Sequence, residues 1–360
     1  VSAQQTALFD CHQRLGAHMV EFAHTWLPLR YGSEKEEHLA VRHAIGIFDV
    51  SHMGEILISG PQAPAFLNYI LTNNINKLAT NKAQYNLLLN QQAGIVDDLM
   101  LYFFGDNRYM LCVNAANIMT DWQWIFGLAH DKTQLTLDNA SRLFSQLALQ
   151  GPKSAELLQK ITDEPLPERF AIKEMLIDNI ACLVARTGYT GEDGFEIFLS
   201  NAAVEPLYTF LLTEGQDLGI KPCGLAARDS LRLEAGMRLH GTDMNDGITP
   251  LEAGLMFAVD LNKPDFLGKE ALLQQQKSGP KKILTGFKLQ ERGIARHGYE
   301  VLDKECKKIG EVSSGSWPPT QATSIGFAYL DPAYNQCGRE VFIKIRDRHV
   351  AALITKTKFI

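Results

Sequence analysis

The sequence is poor in several features that would each point to a function. Its six cysteines, Cys11, Cys112, Cys182, Cys223, Cys306 and Cys337, contain no C-x-x-C pair. That argues against a zinc site or a dithiol redox centre and for scattered reduced thiols. No apolar run approaches the ~20 residues that cross a bilayer, and the first residues carry no basic-plus-apolar signal. The expected location is therefore the cytoplasm, with no membrane partner. A basic surplus is missing too: the formal net charge is −6, whereas general nucleic-acid binders are usually basic, so no nucleic-acid partner is expected. There is no G-x-G-x-x-G stretch, the fingerprint a flavin domain would need. No short-period repeat is found. What is present, 46% hydrophobic and 21% charged residues, describes an ordinary folded protein. At 360 residues the chain is long for one core, and two or three domains are expected.

One stretch organises the rest: Arg186-Thr-Gly-Tyr-Thr-Gly-Glu-Asp-Gly-Phe-Glu196-Ile-Phe-Leu199. Gly188, Gly191 and Gly194 recur every third residue, which permits positive φ or a close backbone approach. The run then reads as a strand, with Phe195, Ile197 and Leu199 on one face and Glu196 and Phe198 on the other. A carboxylate after a glycine-rich turn and beside an aromatic can hold a heterocycle bearing paired N–H donors. On spacing alone, a glycine-rich hairpin with a solvated Glu is the simpler reading.

Along the chain, residues 7–23 read as a short helix and a Gly-led turn into a strand, and Glu34–Ile45 as a helix with an acidic start and a basic end, as the helix dipole prefers. Residues 54–139 read as β-α-β-β-β-α, an antiparallel sheet carrying helices, and hence an α+β layer. Lys282–Ile360 reads as short strands at close spacing, which suggests a small β-barrel. Ser51-His52 invites a catalytic dyad, but adjacent strand residues point to opposite faces, so that reading is rejected. Asp97 and Asp98, extended and adjacent, cannot both enter one cavity; Tyr85 and Asn114 on neighbouring segments are candidate ring and amide partners. In the Gly224–Gly236 helix Asp229 can pair with Arg232 at i,i+3, leaving Arg228 for a ligand.

Gly188-Tyr-Thr-Gly-Glu-Asp-Gly-Phe-Glu196, with Gly224-Leu-Ala-Ala-Arg228-Asp-Ser-Leu-Arg-Leu-Glu-Ala-Gly236, resembles the T-protein (aminomethyltransferase) family of the glycine cleavage system. Ile47-Phe-Asp-Val-Ser-His-Met53, Gly94-Ile-Val-Asp-Asp-Leu-Met100, Arg292-Gly-Ile-Ala-Arg-His-Gly-Tyr299 and Val312-Ser-Ser-Gly-Ser316 extend the likeness over essentially the whole chain. The chain departs from the family pattern at His24, where a glycine is usual, and at Trp26, one place later than the family tryptophan. Ala93 replaces a first glycine, His240 a tyrosine and Trp317 a serine. For Trp317 the simple expectation is packing on its own barrel. Iron–sulfur maintenance relatives carry a Lys-Gly-Cys-Tyr-x-Gly-Gln-Glu signature where this chain has Arg186-Thr-Gly-Tyr-Thr-Gly-Glu-Asp. The folate modules of sarcosine- or dimethylglycine-oxidising enzymes accompany a flavin domain, for which no fingerprint is found.

The resemblance implies an α+β fold: a three-domain ring of two mixed α/β antiparallel-sheet lobes and a C-terminal small β-barrel around a central folate-binding cavity. The implied domains are 1–53 with 141–262, 54–140, and 276–360. It implies transfer of a one-carbon unit from aminomethyl-lipoyl H-protein to tetrahydrofolate, a co-substrate, with no metal. By family position Asp98 is the catalytic carboxylate and Glu196 receives the pterin edge. Arg228, Tyr189, Tyr85, Asn114 and Met53 complete the folate site. A monomer is the default expectation.

Overall fold

The alternation in Phe195-Glu-Ile-Phe-Leu199 fixes how the first part of the molecule is layered. In the computed structural model, which describes residues 3–360, this segment is the strand Gly194–Ser200 of a six-stranded sheet. The strand order is Ile172–Ile177, Ile180–Ala185, Gly194–Ser200, Phe144–Gln150, Ile45–Asp49, Ile220–Pro222. Neighbours are antiparallel except for Ile220–Pro222, which runs parallel to Ile45–Asp49. Phe195, Ile197 and Leu199 pack into one core with Leu8, Leu157, Leu207 and Leu211, residues at or in the helices Phe9–Arg14, Ser154–Ile161 and Val204–Glu214. Each such side chain contributes about 1.5–3 kcal/mol by leaving water.

Phe198, on the opposite face, joins a different cluster with Tyr102, Met110 and Cys112. Those residues come from a five-stranded sheet ordered Lys82–Leu89, Ile95–Gly105, Arg108–Val113, Gly54–Ser59, Thr136–Asn139. The β-α-β-β-β-α reading of this region holds, with Thr136–Asn139 added as an edge strand that its short, polar sequence concealed. Glu196 lies on the same face as Phe198, so it faces the second sheet instead of bulk solvent.

The chain divides into two compact units, residues up to Asn86 with Asp98–Arg228, and Leu87–Asp97 with Asp229–Ile360. The second unit contains the closed barrel, ordered Ile283–Leu289, Ile325–Leu330, Lys308–Ser316, Glu300–Leu302, Glu340–Ile345, Arg348–Thr355 and back to the first. Its interior is apolar, with Phe287, Leu289, Val301, Leu330, Ile343 and Val350 buried together. A buried carboxylate pins the loop before it: Asp243 takes the Arg232 guanidinium and the Ser313 and Ser314 hydroxyls. Arg232 also meets Asp229 at 2.8 Å, as the i,i+3 spacing predicts. Trp317 lies in the loop after the barrel strand Lys308–Ser316. It is 42% exposed, and its indole N–H donates to the Gln321 carbonyl of its own loop. No helix among the described residues is long and apolar enough to cross a membrane.

The departure at His24 has a visible cost. Strands His18–Phe22 and Thr25–Arg30 pair Phe22 with Thr25, which leaves a two-residue turn, Ala23-His24, with φ of 48° and 59°. Both residues are left-handed, the geometry of a type I′ hairpin that favours Asn-Gly. The His24 ring is exposed and stands 3.7 Å from the Glu21 carboxylate, an interaction of little energetic weight. Ala23→Asn with His24→Gly should therefore raise stability by ~1 kcal/mol, the relief of αL strain less the added chain entropy of glycine. A denaturant midpoint that does not rise would show that the turn carries no such strain.

Candidate functional site

The glycine-rich loop owes its shape to one side chain. Gln150 is buried, and a Cβ at Gly188 would lie 2.0 Å from its Oε1, one at Gly194 2.5 Å from its Nε2. Only Gly191 of the three takes positive φ, 85°. The close approach that the spacing suggested is thus to Gln150, which donates to the Thr187 carbonyl at 3.1 Å and accepts from Thr190 Oγ at 3.0 Å. Arg186 and Asp193 close the loop in a two-pronged pair at 3.0 and 2.6 Å.

This bracing sets Glu196. Its Oε2 accepts from Thr187 Oγ at 2.5 Å and meets the Tyr102 hydroxyl at 3.5 Å, and its Oε1 accepts from Gln146 Nε2 at 3.1 Å. The solvated-hairpin reading fails, since side chains from the glycine-rich loop and from both sheets, Thr187, Gln146 and Tyr102, converge on this carboxylate. Beside it the Arg228 guanidinium stands 4.7 Å over the Tyr189 ring, a cation–π contact. Burial pushes the Arg228 pKa down, while Tyr189, Glu196 and Cys112 pull it up.

The second group of predicted residues also assembles. Tyr85 OH donates to Asp98 Oδ2 at 2.9 Å, and Asn114 Nδ2 donates to Asp98 Oδ1 at 2.9 Å and to its carbonyl at 3.0 Å. Asp98 stays half-buried, whereas Asp97 is fully buried with His240 Nδ1 4.0 Å away. The adjacent carboxylates do face opposite ways. Ala93, the substituted glycine, sits at φ 64°, so that exchange puts a Cβ where the backbone prefers none. Asp98, Met100 and Tyr102 alternate onto one face of Ile95–Gly105. The Asp98 group and the Glu196 group, which Tyr102 touches, therefore share that face. Met53 packs, partly buried, against the Tyr102–Phe198 cluster.

Ser51 and His52 lie in a turn after the strand Ile45–Asp49, not in a strand as read from sequence. Asp49 Oδ1 accepts the Ser51 N–H, and Met53 N–H bonds back to the Val50 carbonyl, which bends the chain there. Ser51 Oγ bonds to the Gln146 backbone, and His52 is buried with no partner on Nδ1. Burial and then the Arg228 charge push His52 down to about 3, so its ring is neutral. Sequence reasoning gave no role to Gln146, Thr187, Tyr102 or Cys112. The one available signal was Gln146, a lone amide entering the apolar run Leu147-Ala-Leu149.

The described residues contain no group of His, Cys, Asp and Glu able to hold a metal ion. An open cleft of about 590 Å³ lies elsewhere, in the second unit, with Lys281, Lys282, Lys307 and Lys308 among its lining. None of the predicted site residues lines it.

Residues 8–263 match the GCVT N-terminal domain and 282–360 the glycine cleavage T-protein C-terminal barrel domain. The chain belongs to the glycine cleavage T-protein family. It is 44% identical over 359 residues to an aminomethyltransferase of Caldanaerobacter subterraneus, covering 99% of this chain and 96% of that one. It is 44% identical over 363 residues to an aminomethyltransferase of Bacillus cereus, covering 100% and 98%. Among solved structures it resembles the glycine cleavage system aminomethyltransferase T of Bartonella henselae, with a TM-score of 0.93, 35% identity, and 100% and 98% of the two chains covered. The T-protein fold class, mixed α/β sheets followed by a closed C-terminal barrel, is thus the one observed.

Proposed function

We propose that this T-protein takes the aminomethyl group carried on the lipoyl thiol of H-protein and transfers its carbon to tetrahydrofolate. The C–S and C–N bonds to that carbon break, and bonds to folate N5 and N10 form. The products are ammonia, 5,10-methylenetetrahydrofolate and the reduced lipoyl arm. The observation that carries the assignment of roles is the shared face of one strand, with Asp98 gripped by Tyr85 and Asn114 at one end and Tyr102 touching Glu196 at the other.

The pterin edge presents N3–H and a 2-amino group in parallel, and one carboxylate accepts both, the role of Glu196. Tyr189 packs on the p-aminobenzoyl ring, with Met53 and Tyr85 as further walls. Arg228 bonds a polar edge of the folate. Asp98, its carboxylate fixed on both oxygens, lies near the reacting nitrogens and stabilises positive charge that develops as ammonia leaves. Asn114 holds Asp98 in place. The decisive experiment mixes the protein with aminomethyl-loaded H-protein and follows ammonia with and without tetrahydrofolate. Release should depend on folate; release that ignores it would remove the reading.

A protein-borne substrate needs a docking surface, and the net charge of −6 makes local basic density informative. Lys344 and Arg348 are paired with Glu300 and Glu291, whereas Lys281, Lys282 and Lys307 cluster at one cleft. An acidic carrier is steered by such a patch through its on-rate, and screening acts over about 8–10 Å at ordinary ionic strength. Raising salt should increase the apparent KM for H-protein and leave turnover of a free aminomethyl-dihydrolipoyl substrate nearly unchanged. Equal sensitivity of both would exclude electrostatic docking.

A further inference from the structure

Recognition of two parallel donors demands more than a carboxylate in the right place. Its plane must also be fixed, and a lone Glu side chain rotates freely about its last bond. Here that rotation is stopped by donors that divide between the two oxygens. Thr187 Oγ donates to Oε2 at 2.5 Å and Gln146 Nε2 to Oε1 at 3.1 Å. The Tyr102 hydroxyl, at 3.5 Å from Oε2, is at the outer limit of hydrogen bonding. One further lone pair therefore remains on each oxygen, the number that a paired N–H edge requires.

Both clamping groups are themselves anchored. Thr187 and Gln146 are buried. The Thr187 carbonyl is held by Gln150. The Gln146 backbone is tied to Ser51 Oγ at 3.0 Å, and its side-chain oxygen accepts the Cys112 S–H at 3.6 Å. That last contact decides which way the amide faces: oxygen toward the thiol, NH₂ toward Glu196. Burial, Glu55 and Glu196 hold the Cys112 thiol pKa well above its usual range, so it remains a donor.

We propose that Thr187 and Gln146 are positioning residues for the folate substrate, each pinning one oxygen of Glu196 so that the carboxylate plane is set before folate arrives. The inference rests on Glu196 being the folate carboxylate. Neither residue touches the ligand; each acts through Glu196.

The test is a set of titrations of 5-methyltetrahydrofolate into the intact protein. Thr187→Val keeps the shape and removes the donor, and it should weaken binding about 10-fold, the scale of one charged hydrogen bond. Thr187→Ser should bind within about twofold of wild type, since the hydroxyl remains. With saturating tetrahydrofolate, Thr187→Val should change kcat by less than about threefold, because the lost interaction is uniform binding. In a Glu196→Gln background the same change should add less than about twofold, since the two residues act as one unit. Gln146→Leu carries the same expectations, including the missing effect beside Glu196→Gln, and stands in if Thr187→Val does not fold. Wild-type affinity in Thr187→Val, failure of Ser to restore binding, or a full-sized loss in the Glu196→Gln background would each overturn the proposal. Wild-type affinity in Glu196→Gln alone is a separate result that removes the folate role of Glu196 itself.

Discussion

Asp98→Asn should lower turnover by about 10²–10⁴-fold, the range for a charge or proton-transfer group positioned at the reacting atoms. Folate affinity should change only a few-fold. The substitution is isosteric, and both bonds that hold the side chain, from Tyr85 at 2.9 Å and Asn114 at 2.9 Å, have oxygen acceptors on Asp98. An amide keeps one acceptor and sets its NH₂ against the other donor, so some local reorganisation is expected, but the charge is what disappears. Asp97→Asn is the matched control. Asp97 is fully buried on the opposite face, so the variant should lose thermal stability more than activity, with turnover falling by less than about 10-fold, far short of the loss of a catalytic charge. Single-turnover ammonia release with loaded H-protein separates the two. Equal losses, or a larger loss at Asp97, would mean that the wrong carboxylate has been placed at the chemistry.

Glu196→Gln should weaken binding of a stable reduced folate by about 1.5–3 kcal/mol, or roughly 10- to 150-fold, the weight of hydrogen bonds to a charged group. The structure sharpens the reason. The carboxylate is held by a donor on each oxygen, Thr187 on one and Gln146 on the other, with the Tyr102 hydroxyl 3.5 Å from the first. An amide can offer acceptance at only one oxygen, and its NH₂ then faces both a protein donor and the ligand's donor edge. Loss of affinity without matching loss of kcat at saturating folate is the expected pattern. Titration followed by calorimetry reads it directly, and unchanged affinity would leave the carboxylate a purely structural group.

Much of this site was legible because local rules carried it. Period-two alternation put Glu196 and Phe198 on one face and Phe195, Ile197 and Leu199 on the other, and the two cores divide them that way. The same rule separated Asp97 from Asp98. Family likeness then chose Asp98, and the partners foreseen for it, Tyr85 and Asn114, are the ones that bond it. Two elements differ from the sequence reading, one for a local and one for a long-range reason. Ser51-His52 reads as strand, but Asp49 accepts the Ser51 N–H and a turn forms there, a local bond that a strand reading does not show. The Thr136–Asn139 strand has no apolar alternation and forms only because Gly54–Ser59 offers it an edge.

By itself the sequence determined the order of elements, the family, the closed barrel implied by the short strands after Lys282, and which side chains could carry the chemistry. These follow from periodicity, turn residues and long motifs, all of them properties of neighbours along the chain. The tertiary structure alone decided what surrounds each group. Gly188 and Gly194 make room for Gln150, 38 and 44 positions away from it in sequence. Gln146, on a strand 50 residues before Glu196, supplies one of its donors. Cys112, a further 34 residues back, orients Gln146. Hydrogen-bond partners across sheets depend on register and packing, which bring together residues that no local pattern relates.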